Sequence, residues 1–249
     1  MSAMSLNRRS VLARAYTGAG NEARATAVLQ RAVQLQPANS RLATELALSR
    51  ARRGQMETAL SDLSTVFTRD NFGEVAGMPL ATLYLNRHQF KEAAAISEKL
   101  LRARPEDPTL RNLHGIAQVG VGNLAQARGL FEKALRNKPD FDPASINLGK
   151  LDRLEGKFAE AEKRFNALLG KKPTDAQRMV EIARVFAAKG DSKSALKWAR
   201  EARQADPKSF DVAKFLISRL ILERNFDDAL NLVLAQLQEH PSNLFVLEL

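Results

Sequence analysis

The sequence predicts an all-α solenoid of about seven helix-turn-helix repeats, and three periodic series predict it. Alanine stands at 25, 59, 93, 127, 161, 195 and 229, every 34 residues. Proline keeps the same period at 37, 105, 139, 173, 207 and 241, with Asn71 in the one vacant place. Small residues form a third series, Ala13, Ala47, Ala81, Gly115, Gly149 and Ala183, which ends at Ile217. A period of this length marks a two-helix unit that must stack on its neighbours to bury its apolar face.

With each proline at repeat position 32, the repeats are 6–39, 40–73, 74–107, 108–141, 142–175, 176–209 and 210–243. They form one continuous array over 1–249, in which 244–249 opens a further helix. The first helix of each repeat carries an inward residue at position 7: Leu12, Leu46, Leu80, His114, Leu148, Ile182 and Leu216. The small series follows at position 8, where two antiparallel helices come closest and a large side chain would wedge them apart. A turn then holds Gly20, Gly54, Gly122, Gly156 or Gly190, each available for the positive φ that ends a helix. The second helix carries the periodic alanine, then bulk four residues apart on one face, as in Phe131 and Leu135 or Phe165 and Leu169. Proline closes it, because proline cannot continue a helix and biases the residue before it away from one. Asp107, Asp140, Asp175 and Asp206 are placed to cap the next first helix. One stretch departs: repeat two ends without proline, and Pro79 lies near the start of repeat three. A proline is tolerated in a first turn, so this helix is expected to start late, near Ala76 to Met78.

Composition narrows the function. There is no cysteine, which excludes disulfides and thiolate metal sites. No stretch approaches the ~18 apolar residues of a membrane span, and the first nine residues lack the apolar core of a secretion signal. The net charge of +10 points to acidic partners. Residues 1–124 hold 16 Lys and Arg against 10 Asp and Glu, and residues 125–249 hold 22 against 18, so the excess reads as spread along the chain. Basic residues are not interleaved with aromatics, which argues against a nucleic-acid channel.

The marks at positions 8, 20 and 32, running through residues 6–243, resemble the tetratricopeptide repeat. That resemblance implies a right-handed superhelix whose first helices line a concave groove. The aromatics of position 11 survive at Tyr16, Tyr84 and Phe186, and Arg50, Gln118 and Asp152 replace them elsewhere, which is expected to make the groove more polar there. From Pro105 onward the wording (Pro-Glu-Asp-Pro-Thr-Leu-Arg-Asn-Leu-His-Gly, then Asp-Phe-Asp-Pro-Ala-Ser-Ile-Asn-Leu-Gly-Lys-Leu-Asp) is similar to the large repeat lipoproteins of PEP-CTERM/exosortase and exopolysaccharide systems in Gram-negative bacteria. This implies a periplasmic scaffold, with the cytoplasm as the alternative compartment, and an internal fragment of a longer chain. The Lys/Asn/Lys/Arg clamp of chaperone-tail-binding relatives is not matched, because Ser10, Arg14 and Glu45 fill the corresponding positions.

No catalytic, cofactor or metal site is expected. His88, His114 and His240 match no metal spacing. His114 sits at an inward position and reads as a hydrogen-bonded core residue; the other two read as surface residues. Binding has more support. Positions 2, 5, 9 and 12 of the first helices, with position 6 beside them, line the inner surface that the resemblance implies. They carry Val75, Met78, Leu85, Ile116 and Val119 in repeats three and four, and Asn147, Lys150, Arg153, Arg184 and Lys214 in repeats five to seven. The expected partner is a protein or peptide with apolar and acidic segments; the alternative is an anionic polymer. Trp198 is expected to pack between repeats beside Ala199, and the apolar end Leu244-Phe245-Val246-Leu247 to stack on another molecule end to end, or to be partly disordered.

Overall fold

The computed structural model describes residues 3–239, and among them it contains fourteen α-helices and no strand. The predicted end-to-end contact through 244–249 and the surface placement of His240 lie outside the described residues. The chain divides into two compact bodies, residues 1–139 and 140–249. The first holds α1 (Ala3–Gly18), α2 (Glu22–Leu35), α3 (Ser40–Arg52), α4 (Met56–Arg69), α5 (Glu74–Asn86), α6 (Phe90–Ala103), α7 (Pro108–Val121) and α8 (Leu124–Asn137). The second holds α9 (Asp142–Leu154), α10 (Phe158–Lys171), α11 (Ala176–Lys189), α12 (Ser192–Ala205), α13 (Phe210–Leu222) and α14 (Phe226–Glu239). Odd helices are the first helices of the repeats and even helices the second, in the register set by the alanines. Within each body a helix packs on its neighbours in chain order, and first helices also touch: α3 with α5, α9 with α11, α11 with α13.

The waist of each hairpin is a matched pair. All seven periodic alanines are at most 4% exposed. In repeats one, two, four and five position 8 meets position 24 of the same repeat, and the smaller the first the larger the second. Repeats one and two pair Ala13 with Leu29 and Ala47 with Leu63, each pair sharing a buried cluster. Repeats four and five pair glycine with phenylalanine. A Cβ on Gly115 would fall 2.4 Å from Phe131 Cε1, and one on Gly149 would fall 2.7 Å from Phe165 Cζ. Where position 24 shrinks to Ala199, Trp198 fills the space, packing against both the Phe165 cluster and the Ala183–Leu216 cluster. The interrepeat reading of Trp198 therefore holds.

Helix ends follow from single residues. α2, α6, α8, α10 and α12 each stop two residues before their proline. The five turn glycines all have φ between 71° and 95°. His88 and Arg224 occupy the same turn position in repeats three and seven and adopt φ of 57° and 58°, so there the register imposes a conformation the side chain disfavours. Asp107 caps α7 by accepting from the Thr109 and Leu110 amides at 2.8 and 3.2 Å, and Asp175 caps α11 through the Arg178 amide at 3.1 Å. The other two cap assignments need correction. Phe141 holds the cap position of α9 without a side-chain bond, and Ser209 caps α13 while Asp206 accepts from the Ser209 amide.

Repeat three is also corrected. α5 begins at Glu74, not near Ala76 to Met78, and Pro79 lies inside it. Pro79 is the sixth residue of α5, past the four amides a helix start leaves free, so it forfeits the backbone bond to the Val75 carbonyl. Burial of Ala76, Gly77, Leu80 and Ala81 outweighs that loss. In place of the missing proline, Asn71 and Phe72 turn the chain with φ of 50° and 64°, and the Phe72 ring packs edge-on to Phe67 at 5.2 Å.

The residues replacing the position-11 aromatics do not face a groove, which corrects that expectation. They point into the hairpin, toward position 23. Arg50 pairs with Asp62, and Asp152, 1% exposed, pairs with Arg164 at 2.8 Å. These are the same two register positions with the charges exchanged. Gln118 instead joins a buried chain around His114, as expected for a core histidine. Ser97 Oγ donates to the Ala93 carbonyl at 2.7 Å and lies 2.9 Å from His114 Nδ1. Gln118 Nε2 is 3.2 Å from His114 Nε2, and Asn123 Nδ2 donates to Gln118 Oε1 at 2.7 Å. The amide nitrogen can only donate, so Nε2 accepts and Nδ1 carries the proton. Burial holds the His114 pKa below the ordinary histidine value, with the Glu98 charge opposing.

Candidate functional site

The residues expected to bind lie on first helices in both bodies. In residues 1–139, Val75 on α5 is 49% exposed, whereas Met78 and Leu85 are half-buried against the cluster of Leu80, Leu110 and Leu113. Ile116 and Val119 on α7 are half-buried as well. Most of the expected apolar anchors therefore spend their surface on the repeats themselves, and Val75 alone among them stands free.

In residues 140–249 the polar residues come together on α9, α11 and α13. Lys150 Nζ and an Arg184 nitrogen reach the same oxygen, Glu181 Oε1, at 3.7 and 3.6 Å. Both cations keep nearly half of their side-chain surface in solvent, while Glu181 is buried. The Arg184 guanidinium lies 5.4 Å from the Phe215 ring centre, close enough for a cation–π contact. Lys214 is exposed beside Phe215 in sequence, Asn147 is half-buried, and Arg153 is half-buried with its Nε unpartnered.

Glu181 and Phe215 were missed in the sequence. Both occupy position 6, which was applied only to Asn147; carrying it through all repeats finds Val11, Glu45, Pro79, Leu113, Glu181 and Phe215 as well. Glu45 makes the matching constellation in the first body: Ser10 Oγ donates to Oε2 at 2.7 Å, and Arg14 approaches Oε1 at 3.6 Å.

Charge divides unevenly at the boundary between the bodies. Residues 1–139 hold 20 Lys and Arg against 11 Asp and Glu, and residues 140–249 hold 18 against 17. The even spread expected from an arbitrary halving is corrected accordingly. The cations on α9, α11 and α13 are then a local gathering in a nearly neutral body. Depressions of about 720 and 740 Å³ lie elsewhere, lined chiefly by second-helix residues such as Ser61, Ser64 and Thr68, or Lys193, Lys197 and Arg200. Among the described residues no group of three or more His, Asp or Glu is placed to hold a metal, and no helix is long and apolar enough to cross a membrane.

Such a chain of hairpins, presenting side chains from successive first helices, is a helical-repeat protein of the all-α superhelical class. Residues 78–141 and 119–180 match two family models, both described as the tetratricopeptide repeat. A tetratricopeptide repeat protein from Parabacteroides merdae shares the fold over 99% of this chain and 97% of its own, with a TM-score of 0.81 at 18% identity. YrrB, described as a tetratricopeptide protein with an unusual peptide-binding site, matches 74% of this chain and 95% of its own, with a TM-score of 0.52 at 21% identity. Human protein O-mannosyl-transferase TMTC2 is 31% identical over 98 residues, 38% of this chain. The antiviral effector IFIT1 of Macaca fascicularis is 26% identical over 182 residues, 62% of this chain. The chain spans 12% and 37% of the length of these two relatives. Residues 78–180 match the tetratricopeptide repeat and the whole chain shares its fold, and proteins built from this repeat act as interaction scaffolds that bind peptides or proteins.

Proposed function

We propose that this chain is a non-enzymatic scaffold that binds an acidic protein segment on the first-helix face of residues 140–249. The observation that carries the reading is the sharing of one buried carboxylate by two half-exposed cations, Lys150 and Arg184. At 3.7 and 3.6 Å neither contact is a hydrogen bond, and both cations are half-exposed, so they can turn to a ligand's carboxylates. Lys214, Arg153 and Asn147 extend the face; in residues 1–139, taken by themselves, Val75, with Met78, Leu85, Ile116 and Val119 behind it, is a separate candidate contact for apolar residues of a partner. The resemblance to PEP-CTERM/exosortase-associated lipoproteins extends the proposal to a periplasmic role in exopolysaccharide or surface-protein sorting. The test is a pull-down with the wild-type chain and with Lys150→Glu plus Arg184→Glu. Retention of the same partner at the same affinity by the double variant would end this reading.

A second reading has its own support. The charge excess of residues 1–139 suits an anionic polymer, polysaccharide or nucleic acid. Affinity for a polymer falls steeply with salt, so binding that is insensitive to salt eliminates it.

A further inference from the structure

The two position-6 glutamates differ in one respect that identifies what the second one lacks. At Glu45 both oxygens are engaged: Arg14, from position 9 of the preceding repeat, approaches Oε1, and Ser10, from position 5 of that repeat, donates its hydroxyl to Oε2 at 2.7 Å. At Glu181 the first half of this arrangement recurs, with Lys150 in the register place of Arg14. The second half does not. The register place of Ser10 is taken by Ile146, whose side chain packs against the Phe165 cluster and has nothing to donate. Glu181 Oε2 is buried with no hydrogen-bond partner, and the whole side chain is only 9% exposed. A buried acceptor left unmade carries a desolvation cost that a suitable donor removes. The chain supplies that donor in one copy of the motif and withholds it in the other.

Resting on the scaffold reading above, we propose that Glu181 Oε2 receives a main-chain N–H of an acidic peptide while Lys150 and Arg184 turn to the peptide's carboxylates. Lys150 and Arg184, which sit against Glu181 Oε1, are the cations an acidic ligand draws outward, and their departure opens the way to the buried carboxylate. The face then selects a polypeptide over other polyanions: a polysaccharide acid or polyphosphate satisfies the cations and leaves Oε2 empty, whereas a peptide satisfies both. Phe215 under Arg184 keeps that guanidinium over the face while its charge changes partner.

The experiment compares two probes on the whole chain by fluorescence anisotropy: a capped oligoglutamate peptide, and an oligoacrylate of the same charge with no N–H donor. One hydrogen bond to a charged acceptor corresponds to a preference of roughly tenfold for the peptide. Two variants should collapse that preference toward unity. Glu181→Met removes the acceptor, and taking the ratio of the two probes cancels the accompanying change in net charge. Ile146→Thr places a hydroxyl on a similar β-branched frame, copying the Ser10 arrangement, and leaves the charge untouched. Equal affinity of wild type for the two probes, or a preference that persists in either folded variant, overturns the inference. Failure of the scaffold reading looks different: Lys150→Glu plus Arg184→Glu would then leave the affinity for both probes unchanged.

Discussion

Replacing Gly149 with alanine adds one carbon at the waist of repeat five, and the structure gives its consequence. The new Cβ would lie 2.7 Å from Phe165 Cζ and 3.0 Å from Cε1 and Cε2. Carbon atoms rest at about 3.5–4.0 Å, so the ring must retreat by close to 1 Å, and it is fully buried. Overpacking of this kind costs roughly 1–3 kcal/mol. Alanine offsets about 1 kcal/mol of that through its better helix propensity, leaving a net loss of about 0–2 kcal/mol. The sharper quantity is the coupling between the two positions. Phe165→Leu alone opens a gap and costs on the order of 1 kcal/mol or more. In the Gly149→Ala background it relieves the clash and recreates the alanine–leucine pairing of repeats one and two. Urea unfolding of wild type, both single variants and the double variant should therefore show at least about 1 kcal/mol of favourable coupling. Additive effects, agreeing within about 0.5 kcal/mol, would refute the view that positions 8 and 24 are sized to each other.

Three further outcomes follow from particular residues. Arg224→Gly relieves a left-handed backbone that costs a non-glycine residue about 1–2 kcal/mol; after the extra chain entropy of glycine it should raise stability by about 0.5–1 kcal/mol, and an unchanged or lower urea midpoint would count against it. Burial lowers the His114 pKa, so the unfolded chain takes up its proton first as pH falls. Stability should decline as pH drops below about 6.5, and His114→Leu should flatten that part of a pH series of melting temperatures. Asp152→Arg and Arg164→Asp should each destabilise by less than the roughly 3–5 kcal/mol of a fully buried broken pair, because Arg164 is a third exposed; combined, they recreate the Arg50–Asp62 arrangement, and thermal melts should recover most of the loss.

The fold was legible because it is written in residues with one steric purpose. An alanine fully buried in six of seven repeats or a proline two residues past a helix end means the same thing wherever it occurs. The start of α5 was not legible, because Pro79 was weighed as a local rule, whereas burial of Ala76, Gly77, Leu80 and Ala81 decides the boundary. Polar replacements at position 11 misled for a related reason. A lone Arg50 or Asp152 reads as surface, and only its partner twelve residues on, Asp62 or Arg164, turns it inward. For the binding face, periodicity located Lys150 and Arg184 but was silent on Glu181, since a glutamate on a helix is ordinarily solvated. Its burial is a tertiary fact, made by helices on either side of α11.

Lysine-selective acetylation, read by mass spectrometry with and without the bound partner, tests most directly where that partner sits. Lys150 and Lys214 lie on α9 and α13, whereas Lys163, Lys193 and Lys197 lie on the second helices α10 and α12. Protection of Lys150 and Lys214, with the three second-helix lysines labelled as in the free chain, is the result expected. Protection confined to Lys163, Lys193 and Lys197 would move the interface to the opposite side of the repeats and contradict the account.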